Sequence, residues 1–294
     1  MRPVALAAIV VLLSVTVGTA AQTPADEVKA ALEGFEAAWD ARDVGALGAC
    51  LHDPLIGYFQ PDSGVIDRPS MLGLADAPRE PIEVTHGDFE PEIYGNVAFA
   101  LMPTHLKPAP EMGLAEFDGL TGAAVLLRTD GVWRMVAGCN VWDAKAMEAW
   151  LPEADRAGIR DLDQSAQAAF GQFQTRADDA LAGGVIDWPK FAVLFHPQAV
   201  VLGPTGDGGE LQARLLKPDG KTPAEDVPEV SLAPTADRRL VVASGWGAIV
   251  QAYDAQASVN GGAPRPYRVV DIRCYIPDQN TWQYVFAAIV PKGE

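Results

Sequence analysis

Apolar residues recur at the spacing of an amphipathic helix near the start of each half of the chain. Leu32 and Phe35 belong to one such stripe, which predicts a helix over 25–41 with its large apolar groups on one side. Phe170 and Phe173 recur in the same way in the second half. An apolar stripe needs a partner surface, so we expect each helix to cover one face of a sheet.

Alternating apolar and polar residues after these helices predict strands. The predicted strands are 82–89, 96–106, 119–129 and 132–142 in the first half, and 239–252, 266–276 and 281–290 in the second. Helices do not alternate with these strands as they do in parallel βαβ folds. The pattern therefore predicts antiparallel sheets and an α+β fold.

Two of the predicted strands share one design. Both stretches begin with a polar turn, reach a Trp at the start of the strand and continue with apolar residues at alternating positions. They are TDGVWRMVAGCNVW at 129–142 and PDQNTWQYVFAAIVP at 277–291. Strand geometry predicts a shared face for five residues of the first stretch, which are Trp133, Met135, Ala137, Cys139 and Val141.

The similarity between the halves extends to other positions. His52 corresponds to His196, and Trp133 corresponds to Trp282. A period of about half the chain indicates two whole domains rather than short solenoid repeats. The predicted domains are residues 22–150 and residues 151–294.

The strands 96–106 and 119–129 are apolar on both faces. An antiparallel sheet usually keeps one face in water, so this pattern means that each face of the sheet is covered. Helices cover one face, and the second domain is expected to cover the other. The sequence therefore predicts an intramolecular pseudo-dimer of two curved sheets.

The order of the elements carries a family resemblance. A long helix, a short helix, a strand with a turn, a small helix and then long strands ending in DGVWRMVAGCNVW resemble the NTF2-like superfamily, especially its SnoaL-like and DUF4440-type members. The resemblance covers 25–142 well and 162–290 more loosely. It implies two tandem cystatin-like cones, each a curved sheet that wraps a pocket beneath its helices, in a family whose members commonly dimerise.

Steroid isomerases of that superfamily use an Asp base just ahead of a Pro, together with a Tyr on the first helix. By resemblance the base position falls at Gln60, or at Phe59 if the register slips, and at Gly203 in the second copy. The Tyr position falls near Phe35. Because these residues do not match the isomerase set, the prediction is a protein that binds a small, largely apolar molecule or a protein partner without catalysis.

His86 and Asp88 are the strongest candidates for chemistry. On a strand over 82–89 they share a face about 7 Å apart, so the carboxylate is able to orient the imidazole as a general base. The competing interpretation is a strand that frays at Gly87, with both side chains in solvent. The catalytic alternative is a SnoaL-like isomerase, cyclase, dehydratase or hydrolase. The predicted pocket residues of the first cone are Phe35, Trp39, Tyr58, His105 and Asn140.

A further charged group lies on the predicted strand 266–276. Asp271, Arg273 and Tyr275 share one face of this strand. The favoured interpretation is an exposed ion pair opposite the core face, because isolated surface pairs are common and contribute about 1 kcal/mol or less.

Composition and charge exclude several functions. The formal net charge is -17, and the absence of a basic stripe in the sequence argues against nucleic acid as a partner. The acidic balance indicates solubility. The histidines do not have metal-ligand spacing, so neither a metal nor a cofactor is predicted; they are His52, His86, His105 and His196.

Residues 1–21, MRPVALAAIVVLLSVTVGTAA, are typical of a secretory signal peptide. They predict a secreted or periplasmic protein without stable membrane insertion after cleavage, because the apolar run is shorter than the roughly 20 residues of a spanning helix. Cys50, Cys139 and Cys274 cannot all pair within one chain. A Cys50–Cys139 disulfide is one alternative, and three small buried apolar groups is the favoured one.

Overall fold

The computed structural model describes most of the chain after residue 22. The described ranges are 23–59, 64–77, 82–182, 186–204, 211–216, 230–234, 241–245, 247–259 and 262–292. Within them the chain forms two sheets with accompanying helices, so the predicted α+β class is confirmed. The predicted signal peptide, residues 1–21, lies outside the described residues.

The helices of the first half begin at side-chain caps. They are α1 (Pro24–Asp40), α2 (Val44–Cys50) and α3 (Arg68–Asp76). The Thr23 side chain accepts a hydrogen bond from the Asp26 N–H, and the Asp26 carboxylate accepts one from the Thr23 N–H. Asp43 caps α2 by accepting a hydrogen bond from the Ala46 N–H. These caps satisfy backbone donors that the first turn of a helix leaves unpaired.

The first sheet has seven strands in the described part of the chain. They are β1 (Leu51–Tyr58), β2 (Ile66–Asp67), β3 (Ile82–His86), β4 (Glu92–Tyr94), β5 (Val97–Pro108), β6 (Phe117–Thr129) and β7 (Val132–Trp142). Their order is β2-β1-β7-β6-β5-β3, with β4 paired to β5. The β1–β7 pair is parallel, and the other pairs are antiparallel. The sheet is therefore mixed, although its long central strands pair as predicted.

The second half contains α4 (Ala144–Trp150), α5 (Glu153–Ala180) and α6 (Trp188–Ala192). Its strands are β8 (Phe195–Pro204), β9 (Leu211–Leu215), β10 (Val230–Pro234), β11 (Val241–Gly245), β12 (Ala248–Val259), β13 (Arg265–Ile276) and β14 (Thr281–Pro291). The predicted strand 239–252 is two strands, because the chain turns at Gly247, where φ is 72°.

The strand order of the second sheet is β10-β12-β13-β14-β8-β9, with β11 paired to β12. Read from its other edge, this order corresponds strand for strand to that of the first sheet. The pair β14–β8 is parallel, as β7–β1 is in the first sheet. The two sheets therefore share one topology.

A β-bulge interrupts β7. Val125 pairs with Ala137 and Leu126 pairs with Met135, so Val136 is an extra residue. Residues before the bulge, Trp133 and Met135, pack beneath the helices. Those after it, Ala137, Cys139 and Val141, pack in the core between the sheets. The prediction that all five share one face is therefore wrong, because the bulge reverses the alternation.

The strand β14 has a bulge at the corresponding place. Ile272 pairs with Phe286 and Arg273 pairs with Tyr284, which leaves Val285 as the extra residue. Trp282 and Tyr284 pack beneath the helices of the second half, and the residues from Val285 onward enter the core between the sheets.

The two sheets face each other across one shared core. This core contains buried side chains of both sheets, including Ile56, Phe99, Val125, Val200, Ile272 and Phe286. On the opposite faces, α1 packs Val28 and Leu32 on the first sheet, and α5 packs Phe173 on the second. Each sheet is covered on both sides, which explains why β5 and β6 are apolar on both faces.

Ion pairs also join the two halves. Arg268 on β13 is 3% exposed and donates hydrogen bonds to Glu92 on β4 at 2.7 Å and to Asp254 on β12 at 3.0 Å. The Tyr94 hydroxyl donates to the same Glu92 carboxylate at 2.7 Å. Burial and this carboxylate raise the pKa of Tyr94 to about 12. Lys292 lies 2.8 Å from Asp254 and completes the network.

The three cysteines are free thiols. Cys139 and Cys274 are buried in the core between the sheets, and Cys50 is half-buried at the end of α2. In the described ranges, every helix is too short or too polar to span a membrane.

Candidate functional site

His86 lies at the end of β3 and joins this strand to α1. Its Nε2 atom is 2.7 Å from Oε1 of Glu36 on α1. Its Nδ1 atom is 2.8 Å from the hydroxyl oxygen of Thr104 on β5, the residue opposite His86 in the sheet. The side chain of His86 is 17% exposed and that of Glu36 is 40% exposed. Solvent, and thus a ligand, can reach the pair.

The carboxylate beside His86 is that of Glu36, whereas the sequence predicted Asp88. The strand ends at His86 instead of continuing to residue 89, so the spacing of residues i and i+2 in a strand does not apply to Asp88. Asp88 lies exposed in the following coil. The geometry thus differs from the predicted pairing, and a catalytic role for either residue stays a prediction.

Hydrogen positions follow from the partners of the imidazole. An ionised Glu36 can only accept hydrogen bonds, so Nε2 of His86 carries a hydrogen and donates it. The Thr104 hydroxyl has one hydrogen, for which Nδ1 of His86 and the carbonyl oxygen of Met102, 2.9 Å away, compete. Carboxylate, imidazole and hydroxyl therefore form one chain, in which Glu36 is the most exposed member and can meet a ligand first.

Half-buried aromatic rings pack on the helix side of the first sheet. Phe35 and Trp39 stack with their centroids 6.3 Å apart. Both are half-buried, as are Phe59 and Phe89, which pack on the same apolar cluster. The predicted pocket residues Phe35 and Trp39 therefore flank Glu36 along α1.

Asn140 lies on the same side of the first sheet. It is half-buried and pairs with Gly122 on β6. A Cβ atom on Gly122 would lie 3.3 Å from Cε of Met102 and 3.5 Å from the Thr104 hydroxyl oxygen, so Gly122 lies on the same face as these two side chains. The structure thus brings Asn140 to the surface that carries Thr104 and His86.

Two predicted pocket residues lie elsewhere. Tyr58 is completely buried in the core between the sheets, where its hydroxyl donates a hydrogen bond to the Tyr275 carbonyl oxygen at 3.2 Å. His105 lies near the surface, with Nδ1 2.6 Å from Asp118 and Nε2 3.5 Å from Glu116. Tyr58 therefore joins the halves, and His105 belongs to a separate acidic surface.

The second half buries an ion pair that the sequence placed in solvent. Asp271 and Arg273 have side chains 5% and 13% exposed, and two hydrogen bonds of 2.7 and 3.0 Å join them. Arg273 also donates to Gln251 at 2.7 Å and lies over the Tyr284 ring at 4.9 Å. The prediction of an exposed pair is wrong, because α5 covers this face through Phe173.

Burial shifts the ionisation of this group. Burial raises the pKa of Asp271, and the guanidinium of Arg273 opposes this rise. Burial also raises the pKa of Tyr284, with a further contribution from the charge of Asp271. Perturbed groups of this kind occur both at functional sites and in structural ion pairs. Here the donors of Arg273 face partners inside the cluster, which favours the structural role.

Two features of the sequence indicate these polar residues. Glu36 follows Phe35 on the amphipathic helix, next to the apolar stripe and not opposite it. Gln251 pairs with Asp271 on the neighbouring strand and accepts a hydrogen bond from Arg273. Polar residues on both strands indicate a shared polar layer. No group of three or more His, Cys, Asp or Glu side chains suited to a metal ion occurs in the part of the chain that the structure describes.

No protein-family model matches this sequence, and no curated protein matches it. Several solved structures do. An NTF2-like protein from Cytophaga hutchinsonii is 17% identical, and the match covers 41% of this chain and 98% of that protein with a TM-score of 0.34. An NTF2-like protein of unknown function from Pseudomonas putida is 12% identical over 40% of this chain and 84% of that protein, with a TM-score of 0.35.

A protein from Shewanella frigidimarina with the provisional name of ketosteroid isomerase is 15% identical, over 38% of this chain and 91% of that protein, with a TM-score of 0.32. At these identities the similarity concerns the fold alone. Two of these proteins are described as NTF2-like, which is the superfamily that the sequence resembles.

Proposed function

We propose that the chain is a tandem pair of NTF2-like cones that form an intramolecular pseudo-dimer. The common strand order of the two sheets supports this proposal. So do the bulges at Val136 and Val285, which occupy corresponding places in β7 and β14. The shared core then takes the place of the interface that two separate subunits would form.

Within this pseudo-dimer, the first half binds a small, largely apolar molecule that carries a hydrogen-bond donor. The observation that carries the proposal is the partly exposed Glu36–His86 pair, next to which α1 also carries the half-buried rings of Phe35 and Trp39. Small-molecule sites combine apolar walls with a few placed polar groups. Phe35 and Trp39 supply the wall, and the Glu36 carboxylate accepts the hydrogen bond.

The second half is less suited to the same role. Its corresponding face holds the Asp271–Arg273 pair, whose hydrogen-bonding groups bind each other and Gln251. Opening this surface to a ligand would break a buried ion pair, which is strongly unfavourable. We therefore assign binding to the first half.

The neutral fluorescent probe N-phenyl-1-naphthylamine tests the assignment, because it has two aromatic rings and one N–H donor. We expect saturable 1:1 binding, measured by fluorescence titration. Phe35→Ala should weaken it about fivefold or more through lost apolar contact. Glu36→Gln should weaken it similarly, because hydrogen bonds to charged groups contribute about 1.5 to 3 kcal/mol.

Glu33→Gln is the matched control, since Glu33 is an exposed carboxylate on the same helix. Its affinity should equal that of the unaltered protein. Equal losses in Glu33→Gln and Glu36→Gln, or the absence of saturable binding, would contradict the proposed site and would favour a protein partner instead.

A catalytic function is the second candidate, and the carboxylate–imidazole–hydroxyl chain of Glu36, His86 and Thr104 favours it. Such a chain can hold and move a proton during general acid–base catalysis. Deuterium exchange into cyclohexanone in heavy water, followed by NMR, reports proton abstraction next to a carbonyl group. We expect exchange to fall about a hundredfold in Glu36→Gln if this function is correct.

Asp88→Asn separates the two carboxylates, Asp88 and Glu36, as partners of the His86 base. A loss of exchange in Asp88→Asn would support the pair predicted from the sequence, and unchanged exchange would support Glu36. Exchange by the unaltered protein at the rate of buffer alone would rule out the catalytic candidate for this class of substrate.

A further inference from the structure

A surface cleft lies where α4 follows the first sheet, away from His86. It has a volume of about 820 Å³, in the range of small-molecule sites. The start of β6 forms one wall and α4 forms the other, and the residues that carry the argument below are Glu116, Phe117, Asp118, Asp143 and Trp150.

Aromatic rings form a fixed wall of this cleft. The Phe117 and Trp150 rings have centroids 5.1 Å apart and are tilted by 42°. The indole N–H of Trp150 donates a hydrogen bond to the Ala115 carbonyl oxygen at 2.6 Å, which fixes the ring. A Cβ atom on Gly119 would lie 2.6 Å from the Ala146 Cβ atom, so the glycine lets α4 approach β6 closely.

The charged residues that line this cleft are all acidic. They are Glu116, Asp118 and Asp143, and no Lys or Arg is found among the lining residues in the described ranges. Asp143 also caps α4, and His105 contacts both other carboxylates. A concave surface with one sign of charge attracts ions of the opposite sign.

We propose that this cleft binds a small organic cation of the quaternary ammonium class. Aromatic faces attract such ions, whose charge lies over the ring while their methyl groups make apolar contacts. The half-buried Trp150 provides the face, with the buried Phe117 ring packed behind it, and the exposed Asp118 and Glu116 provide the opposite charge. An inorganic cation fits less well, because the described residues do not include a group of three or more His, Cys, Asp or Glu side chains suited to a metal ion.

Choline and its uncharged analogue 3,3-dimethylbutan-1-ol test the proposal, because they differ mainly in the positive charge. Isothermal titration of the full chain at low ionic strength should give 1:1 binding of choline. The uncharged analogue should bind at least about fivefold more weakly than choline. Equal affinity for the two probes, or no binding of choline, would overturn the proposal.

Variants locate the site. Trp150→Leu and Asp118→Asn should each weaken choline binding about threefold or more. Asp155→Asn removes the same charge from an exposed position on α5 and should leave the affinity unchanged. An equal loss in Asp155→Asn would mean general attraction to an acidic protein and would also overturn the proposal.

Two further variants keep the test decisive. If circular dichroism finds Trp150→Leu unfolded, Glu116→Gln replaces it, because Glu116 is an exposed residue. Glu36→Gln should leave choline binding unchanged, so that failure of this site and failure of the site near His86 remain distinguishable.

Discussion

Asp271 is a charged residue that the second half buries almost completely, with 3% of its surface exposed. A buried carboxylate is unfavourable unless it is paired and hydrogen-bonded. Arg273 supplies both conditions through two hydrogen bonds. At the scale of the residue, the covering helix determines the role of this pair, because the same two side chains on an open strand would contribute little.

Arg273→Met should strongly destabilise the protein, because it leaves the Asp271 carboxylate buried without its partner. We expect a loss of about 3 kcal/mol or more in the free energy of unfolding, measured by urea denaturation at neutral pH. Asp271→Leu combined with Arg273→Met should be less destabilised than Arg273→Met alone. If Arg273→Met alone were as stable as the unaltered protein, the structural role of the Asp271–Arg273 pair would be contradicted.

The penalty of Arg273→Met should also depend on pH. Burial raises the pKa of Asp271 in the folded state, so folded protein keeps this proton more readily than unfolded chain does. Stability from this carboxyl group is therefore present below its unfolded pKa and is lost as pH rises through its folded pKa. We expect the penalty to shrink on acidification, measured by urea denaturation between neutral and acidic pH, with Asp271→Leu combined with Arg273→Met as the insensitive control.

At the scale of the element, a Trp at the start of each final strand fastens the helix layer. The Trp133 indole N–H donates a hydrogen bond to Glu27 on α1 at 3.2 Å. The Trp282 indole N–H donates one to the Ala166 carbonyl oxygen on α5 at 2.7 Å. The bulge that follows each Trp then turns the rest of the strand toward the core between the sheets. Each final strand therefore contributes side chains both to the core beneath the helices and to the core between the sheets.

Trp282→Phe should lower stability by about 1 to 2 kcal/mol, because it removes a buried hydrogen bond and some ring contact. Thermal unfolding followed by circular dichroism measures the effect. Trp188→Phe is the matched control, since the buried Trp188 indole nitrogen has no hydrogen-bond partner among the described residues. Trp188→Phe should lower the stability by less than about 1 kcal/mol. A larger decrease in stability for Trp188→Phe than for Trp282→Phe would contradict the role of the Trp282 hydrogen bond.

At the scale of the whole molecule, the two halves share a core that neither completes alone. Phe99 and Val125 of the first sheet meet Ile272 and Phe286 of the second. Arg268 adds a buried link to Glu92 at 2.7 Å. Exposing so large an apolar face to water is unfavourable, since burial contributes about 25 cal/mol per Å².

A fragment of residues 22–150 should therefore associate or aggregate when produced alone. Size-exclusion chromatography with light scattering would measure its mass beside that of residues 22–294, which should behave as one folded species. A fragment that remains a folded monomer would contradict the shared core as the source of its stability.

The sequence by itself determined the α+β class, the amphipathic helices and the long strands, because these follow from local periodicity and capping. It also indicated two-sided coverage of β5 and β6. Only the tertiary structure decided which face a residue occupies beyond Val136, because one extra residue in a strand reverses the alternation. The tertiary structure likewise decided that His86 pairs with the carboxylate of Glu36 and not with that of Asp88, because Glu36 lies on a helix distant in sequence.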